Sequence, residues 1–192
     1  MLDRRTLLHA ACCALAAPSW SVRAAAGDEA AAVAALRAGG TVAAFRHALA
    51  PGTLDPPGFR LGNCSTQRNL DEAGRLQARR LGAWFTARGL VPRTVRSSPW
   101  CRCLETARLA FGERVEAWDA LGSLREGDPA AQVSALRAAL ARLPPGEFEV
   151  WVSHQFTLSA LAGTGTSPGE GLVLAGRPDG AAPSLLARLP PP

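Results

Sequence analysis

The two histidines that follow short apolar runs, His47 and His154, are the first candidates for chemistry in this sequence. Arg46 precedes His47, and Arg102 lies in a third segment, residues 97–102, which also follows a run of strand length. A guanidinium presents a planar fork that matches phosphate oxygens. With few acids nearby, two imidazoles and two guanidiniums would form an anion pocket. These residue types therefore indicate a site that binds an anion such as phosphate.

The surrounding sequence predicts the elements that must position these side chains. Strand-length runs cover residues 41–45, 93–97 and 148–152, and a hairpin is predicted at 171–176 and 184–189. Helices are predicted at 30–38, from an Asn69–Glu72 capping box to about Arg88, from Pro99 through Ala107, at 130–143 and at 155–162. Alternating strands and helices predict an α/β three-layer sandwich with a mainly parallel sheet. The carboxyl ends of parallel strands share one edge, so we expect the histidines and arginines to converge there.

The N-terminus has the pattern of an export signal. Arg4 and Arg5 precede an apolar stretch over residues 7–17, and Ala24 to Ala26 supply an A-x-A cleavage site. We predict that residues 1–26 are a cleaved signal resembling the twin-arginine type, with an ordinary secretion signal as the alternative. Residues 27–192 then form one domain, periplasmic and without a stable membrane anchor.

The basic residues exclude several function classes, because all 21 are arginine and none is lysine. A Walker-type nucleotide loop and a Schiff-base enzyme both need a lysine amine. No arginine-rich run with interleaved aromatic residues is present, so we do not expect nucleic acid as a partner.

Three cysteines remain after the predicted cleavage: Cys64, Cys101 and Cys103. Export permits disulfides, and residues 101 and 103 are too close in sequence to bridge each other easily. We therefore expect Cys64 to pair with one of the two. The spacing does not fit a zinc site, and no metal is expected.

Three motifs in order carry a family resemblance: R-H-A at 46–48, S-S-P-x-x-R-x-x-E-T-A at 97–107, and V-S-H at 152–154. Together they resemble the histidine phosphatase superfamily, which has the phosphoglycerate mutase-like fold. The family motif usually reads R-H-G, and here Ala48 replaces the glycine. Because alanine does not easily adopt positive φ, we expect the loop to bend elsewhere.

The resemblance implies phosphoryl transfer through a phosphohistidine, with His47 as the nucleophile. Arg46 is expected to favour its neutral form. Arg46, Arg102 and His154 would hold the phosphoryl oxygens. Arg68 is a further candidate for substrate binding from the loop, although a surface role is the preferred interpretation for this arginine. No metal and no cofactor are implied, because the arginines supply positive charge.

The proton donor to the leaving alcohol is the least defined part of the predicted site. Some relatives place an acid directly after the second histidine, where this sequence has Gln155. Others use a glutamate between the second arginine and the second histidine, which makes Glu126 the candidate. Asp119 and Asp128 are the other acids considered, and each could instead be a solvated loop residue or a helix cap.

These observations predict a metal-independent phosphomonoester hydrolase. The interval between Arg102 and His154 is short, which indicates an open site rather than one that retains an intermediate away from water. The substrate would be a phosphorylated small molecule or envelope component. The alternative is a member of the same fold that binds phosphate-bearing ligands without turnover.

Overall fold

The central sheet contains six strands among the residues that the structure describes. The structure is a computed structural model that describes residues 20–124 and 128–192. The strands are β1 Thr41–Arg46, β2 Thr94–Ser97, β3 Glu116–Ala117, β4 Phe148–Ser153, β5 Gly171–Ala175 and β6 Ser184–Leu189. The helices are α1 Trp20–Ala38, α2 Glu72–Thr86, α3 Cys101–Phe111, α4 Pro129–Leu140 and α5 Gln155–Ala162.

The strand order is β3-β2-β4-β1-β5-β6. Neighbouring strands from β3 to β1 are parallel, and β5 runs antiparallel to both β1 and β6. In the centre, Ala43 of β1 is opposite Val150 of β4. The prediction of a mainly parallel sheet with a closing hairpin is confirmed, and β1, β2 and β4 place their carboxyl ends side by side.

Both faces of the sheet are covered. Successive side chains of β1 point to opposite faces, and each set belongs to a different buried cluster. Val42 and Ala44 belong to a buried cluster that includes leucines of α4 and α5. Ala43 and Phe45 belong to a second buried cluster, built with α1, α2 and α3. The predicted three-layer sandwich is therefore confirmed.

Several predicted boundaries are wrong. Helix α1 begins at Trp20 rather than at residue 30, and α4 ends at Leu140 rather than at 143. The N-cap of α2 is Asp71, whose side chain accepts from Gly74 N, and not Asn69. Asn69 instead donates through Nδ2 to the carbonyl of Cys64 at 2.7 Å. Both residues are good caps, and the loop before the helix decides which one is used.

Helix α3 begins later than predicted, at Cys101 instead of Pro99, with Trp100 as its N-cap. The predicted α5 is confirmed from Gln155 to Ala162. Strand β3 was not predicted, because its two residues are both exposed and carry no apolar pattern.

The predicted disulfide joins Cys64 to Cys101, and Cys103 is free and buried. None of the helices within 20–124 and 128–192 is long and apolar enough to cross a membrane. Export and cleavage after residue 26 remain predictions.

Candidate active site

The two histidines meet where β1 and β4 end. The amide of His47 donates to the carbonyl of Ser153 at 2.9 Å, and the amide of Ser98, after β2, donates to the carbonyl of Val152 at 2.8 Å. These bonds extend the parallel ladders by one residue on either side of β4. As a result, the ring centroids of His47 and His154 lie 5.6 Å apart at the base of a pocket of about 300 Å³.

His47 is only 2% exposed, and its protonation follows from one contact. Its Nδ1 lies 2.8 Å from the carbonyl oxygen of Ala48. A carbonyl only accepts hydrogen bonds, so Nδ1 carries the proton and Nε2 keeps its lone pair. The pKa of His47 is lowered to about 3, mainly by burial and in smaller part by the positive charges of Arg102 and Arg68, while the hydrogen bond to Ala48 acts in the opposite direction. Arg46 also lowers the pKa of His47, as expected, although its effect is the smallest of those named.

His154, 4% exposed, uses both ring nitrogens. Its Nε2 lies 2.8 Å from Ser98 Oγ, and its Nδ1 lies 3.3 Å from Nη2 of Arg102. The guanidinium only donates, so Nδ1 accepts and Nε2 donates to the serine. Burial lowers the pKa of His154 well below its ordinary value, and Arg102 adds to this. Ser98 lies within a predicted motif, but sequence reasoning gave it no role.

Three arginines surround the histidines from three different elements. Arg102 comes from the first turn of α3 and is 4% exposed. Arg46, at the end of β1, donates to the carbonyl of Thr166 at 3.0 Å, and Arg68 donates to the carbonyl of Gly52 at 3.0 Å. Arg68 lies in the pocket wall, so the preferred interpretation as a surface residue is wrong.

The Nε atoms of Arg46, Arg68 and Arg102 are buried and have no hydrogen-bond partner among the described residues. Burial and the neighbouring Arg102 lower the pKa of both Arg46 and Arg68, which is the effect of like charges held close together. Three guanidiniums with unused hydrogen-bond donors therefore surround two neutral imidazoles. Such a site favours an anionic ligand.

One carboxylate, that of Asp55, lines this pocket among the described residues, in agreement with the expectation of few nearby acids. Nη1 of Arg102 lies 2.8 and 3.1 Å from the two carboxylate oxygens of Asp55. Oδ1 of Asp55 also accepts from the backbone amide of Arg68 at 2.9 Å. Glu105, three residues after Arg102, pairs with Arg75 at 2.7 Å and not with Arg102. Sequence reasoning missed Asp55, which stands in a proline-rich loop without a motif.

Two of the acids proposed from the sequence, Asp119 and Asp128, lie away from the pocket. Asp119 is exposed in a 3-10 turn, and Asp128 caps α4 by accepting from the amide of Ala130 at 2.9 Å. Neither lines the pocket. Glu126 lies outside the described residues. Gln155, the residue after the second histidine, does line the pocket.

The loop between β1 and α2 forms one wall of the pocket and is fastened at several points. It leaves the sheet through Ala48, whose amide donates to Thr106 Oγ1 at 3.0 Å, and turns at Gly52 with φ of +83°. The bend thus falls at a glycine beyond Ala48, as expected from the R-H-A motif. The Cys64–Cys101 disulfide ties the far end of the loop to α3, one residue before Arg102.

Cys103 is the remaining thiol near the site. Its Sγ lies 3.6 Å from Nε2 of His154, and burial raises its pKa to about 12. The thiol is therefore neutral and packs behind the histidine.

The sequence model of the histidine phosphatase superfamily (branch 1) matches residues 61–170, more than half of the chain. The chain belongs to the histidine phosphatase superfamily. The match includes Arg102 and His154, while Arg46 and His47 precede it. The fold brings these two residues to the same pocket.

Solved structures of three phosphatases share this fold. The protein histidine phosphatase SixA complexed with tungstate has a TM-score of 0.57 and 17% identity, covering 79% of this chain and 97% of its own. The alpha-ribazole phosphatase of Shigella flexneri has 0.54 and 17%, covering 76% and 95%. A mutant phosphoserine phosphatase of Entamoeba histolytica in complex with phosphoserine has 0.53 and 14%, covering 77% and 95%. No curated protein matched in sequence.

Proposed function

We propose that this protein hydrolyses phosphate monoesters through a phosphohistidine formed on His47. The observation that carries the proposal is the state of His47: a buried, neutral imidazole with its Nδ1 proton committed to Ala48 and a free Nε2 lone pair. An imidazole in this state is ready to attack phosphorus, and membership of the histidine phosphatase superfamily supports the same chemistry.

The reaction follows from the groups around His47. Nε2 attacks the phosphorus while Arg46, Arg68 and Arg102 neutralise the phosphoryl oxygens. A phosphate dianion beside His154 favours its imidazolium, which forms with a proton from solvent. Nδ1 then donates to a phosphoryl oxygen as the guanidinium of Arg102 turns from the ring to the phosphate. Water finally attacks the phosphohistidine and releases inorganic phosphate. The guanidiniums provide the positive charge, so the proposed reaction needs no metal and no cofactor.

The proposed substrate is a phosphate ester met outside the cytoplasm. The predicted signal over residues 1–26 supports export to the periplasm, where the ester would be a small molecule or an envelope component. The pocket wall offers apolar side chains beside the cations, from Leu54, Phe59, Trp100 and Phe156. These side chains suit an ester whose organic part has an apolar face.

The test is hydrolysis of 4-nitrophenyl phosphate by the purified protein with a chelator present. We expect turnover that the chelator does not change, and a loss of about 10⁴-fold or more in His47→Ala, because the nucleophile is gone. Asp119→Asn is the matched control, since Asp119 is exposed and away from the pocket. Equal rates for the wild type and His47→Ala would contradict the proposal. Binding of phosphate without turnover would favour the non-catalytic alternative.

A further inference from the structure

Asp55 contributes the single carboxylate that lines the pocket within the described parts of the chain. Its two oxygens lie 2.8 and 3.1 Å from Nη1 of Arg102, a guanidinium that the proposed reaction needs for the phosphoryl group. The carboxylate and a phosphate dianion therefore compete for the same cation. This competition gives Asp55 a part in the reaction that neither the motifs nor the family match assigns.

We propose that Asp55 is the residue that protonates the leaving alcohol. The assignment rests on the proposed phosphatase function. When the ester enters, its oxygens take over Nη1 of Arg102, and Asp55 then faces a dianion without its ion-pair partner. Asp55, released from Arg102, takes up a proton from solvent and holds it for the leaving oxygen.

The second contact of Asp55 keeps the carboxyl group in place after this exchange. Oδ1 accepts from the amide of Arg68 at 2.9 Å, a backbone bond that does not depend on Arg102. The disulfide at Cys64 fastens the same loop to α3. The acid is thus retained at the pocket wall while Arg102 changes partner.

The proton and electron balance of both steps is complete with Asp55. In the first step, Nε2 of His47 forms a bond to phosphorus, the ester P–O bond breaks, and its electron pair takes the proton of Asp55. In the second step, Asp55 removes a proton from the attacking water, the P–N bond breaks, and its electron pair returns to Nε2. Phosphate leaves, Asp55 releases its proton to solvent, and the ion pair with Arg102 forms again.

The experiment compares Asp55→Asn with wild type on esters whose leaving groups differ in basicity. Nitrophenolate leaves without a proton, whereas an alkoxide such as that of glycerol phosphate needs one. We expect Asp55→Asn to lose about 10²- to 10⁴-fold in kcat/KM on glycerol phosphate and to change little on 4-nitrophenyl phosphate. Log kcat/KM should depend more steeply on leaving-group basicity in the variant.

The affinity of Asp55→Asn for inorganic phosphate separates proton donation from a structural role. Asn has nearly the shape of Asp, and the variant should bind inorganic phosphate at least as tightly as wild type because Arg102 has lost its competitor. Asp119→Asn should match wild type on both esters.

Several outcomes would overturn the assignment. These are an equal loss on both esters, no loss on either, weakened phosphate binding, or a leaving-group-dependent loss in Glu126→Gln instead of Asp55→Asn. A wild-type protein that hydrolyses neither ester would overturn the proposed function together with this assignment.

Discussion

The two sides of the pocket are built in different ways. One side is the edge of the sheet, where His47, His154 and Ser98 are fixed by backbone hydrogen bonds or by the helix that starts beside them. The other side is the loop between β1 and α2, which presents Asp55 and Arg68 and is held by side-chain contacts and one disulfide. The proposed nucleophile, His47, therefore lies on the hydrogen-bonded edge of the sheet. Asp55 and Arg68, which would respond to a bound ligand, lie on a loop that is held in place by side-chain contacts and the disulfide.

Replacing the arginine on α3 and the arginine on the loop, one at a time, is expected to give the largest contrast. Arg102→Ala removes a buried guanidinium that contacts both His154 and Asp55, and we expect kcat/KM to fall by about 10³-fold. Arg68→Ala removes a loop arginine that also bonds loop carbonyls, and we expect about a tenfold loss, mainly in KM. Steady-state kinetics on 4-nitrophenyl phosphate measures both. Equal losses would mean that the two arginines are equivalent.

The disulfide is expected to stabilise the loop side of the pocket more than the sheet side. Cys64 and Cys101 are 37 residues apart, and closing a loop of this size contributes about 3–4 kcal/mol by the chain-entropy estimate. The double variant Cys64→Ser/Cys101→Ser should lose this much free energy of unfolding in guanidinium titrations. Reduction of the wild type should have the same effect. A loss below about 1 kcal/mol would show that the side-chain contacts alone hold the loop.

The sheet side was predictable from sequence, and the loop side was not. Short apolar runs that end in Arg46-His47 and Ser153-His154 place polar groups at strand ends, and parallel pairing then brings them together. Asp55 gave no such signal, because its partner Arg102 lies 47 residues away and is reached only through the fold. Local sequence also could not predict that Asp71 rather than Asn69 caps α2, since both residues can cap a helix.

The burial of His47 on the sheet side should appear in the pH dependence of stability. Its pKa is about 3 in the folded protein, below the ordinary 6.5, so between these values the unfolded chain binds a proton that the folded chain does not. Stability is therefore present above pH 6.5 and is lost as the pH falls towards 3. For this one group the free energy of unfolding should fall by about 1.4 kcal/mol per pH unit.

His47→Asn isolates this contribution from those of the carboxylates. Denaturant titrations between pH 4 and 6 should give a shallower slope for the variant than for the wild type. Parallel curves would show that His47 titrates normally in the folded protein.

The smallest expected effect lies away from both sides of the pocket. Asp128 accepts hydrogen bonds from the amides of Ala130 and Ala131 and does not line the pocket. Asp128→Ala should lower the free energy of unfolding by about 1 kcal/mol and leave kcat unchanged. Thermal unfolding and hydrolysis assays on the same sample measure the two quantities. A loss of activity without a loss of stability would return Asp128 to the list of candidate acids.

The most direct test of the central claim is to trap the phosphorylated intermediate. The protein is mixed with 4-nitrophenyl phosphate, quenched in base within milliseconds, and digested for mass spectrometry under conditions that preserve phosphohistidine. We predict one phosphoryl group on the peptide that contains His47 and none in His47→Ala. A phosphoryl group on another residue, or turnover by His47→Ala at the wild-type rate, would contradict the account.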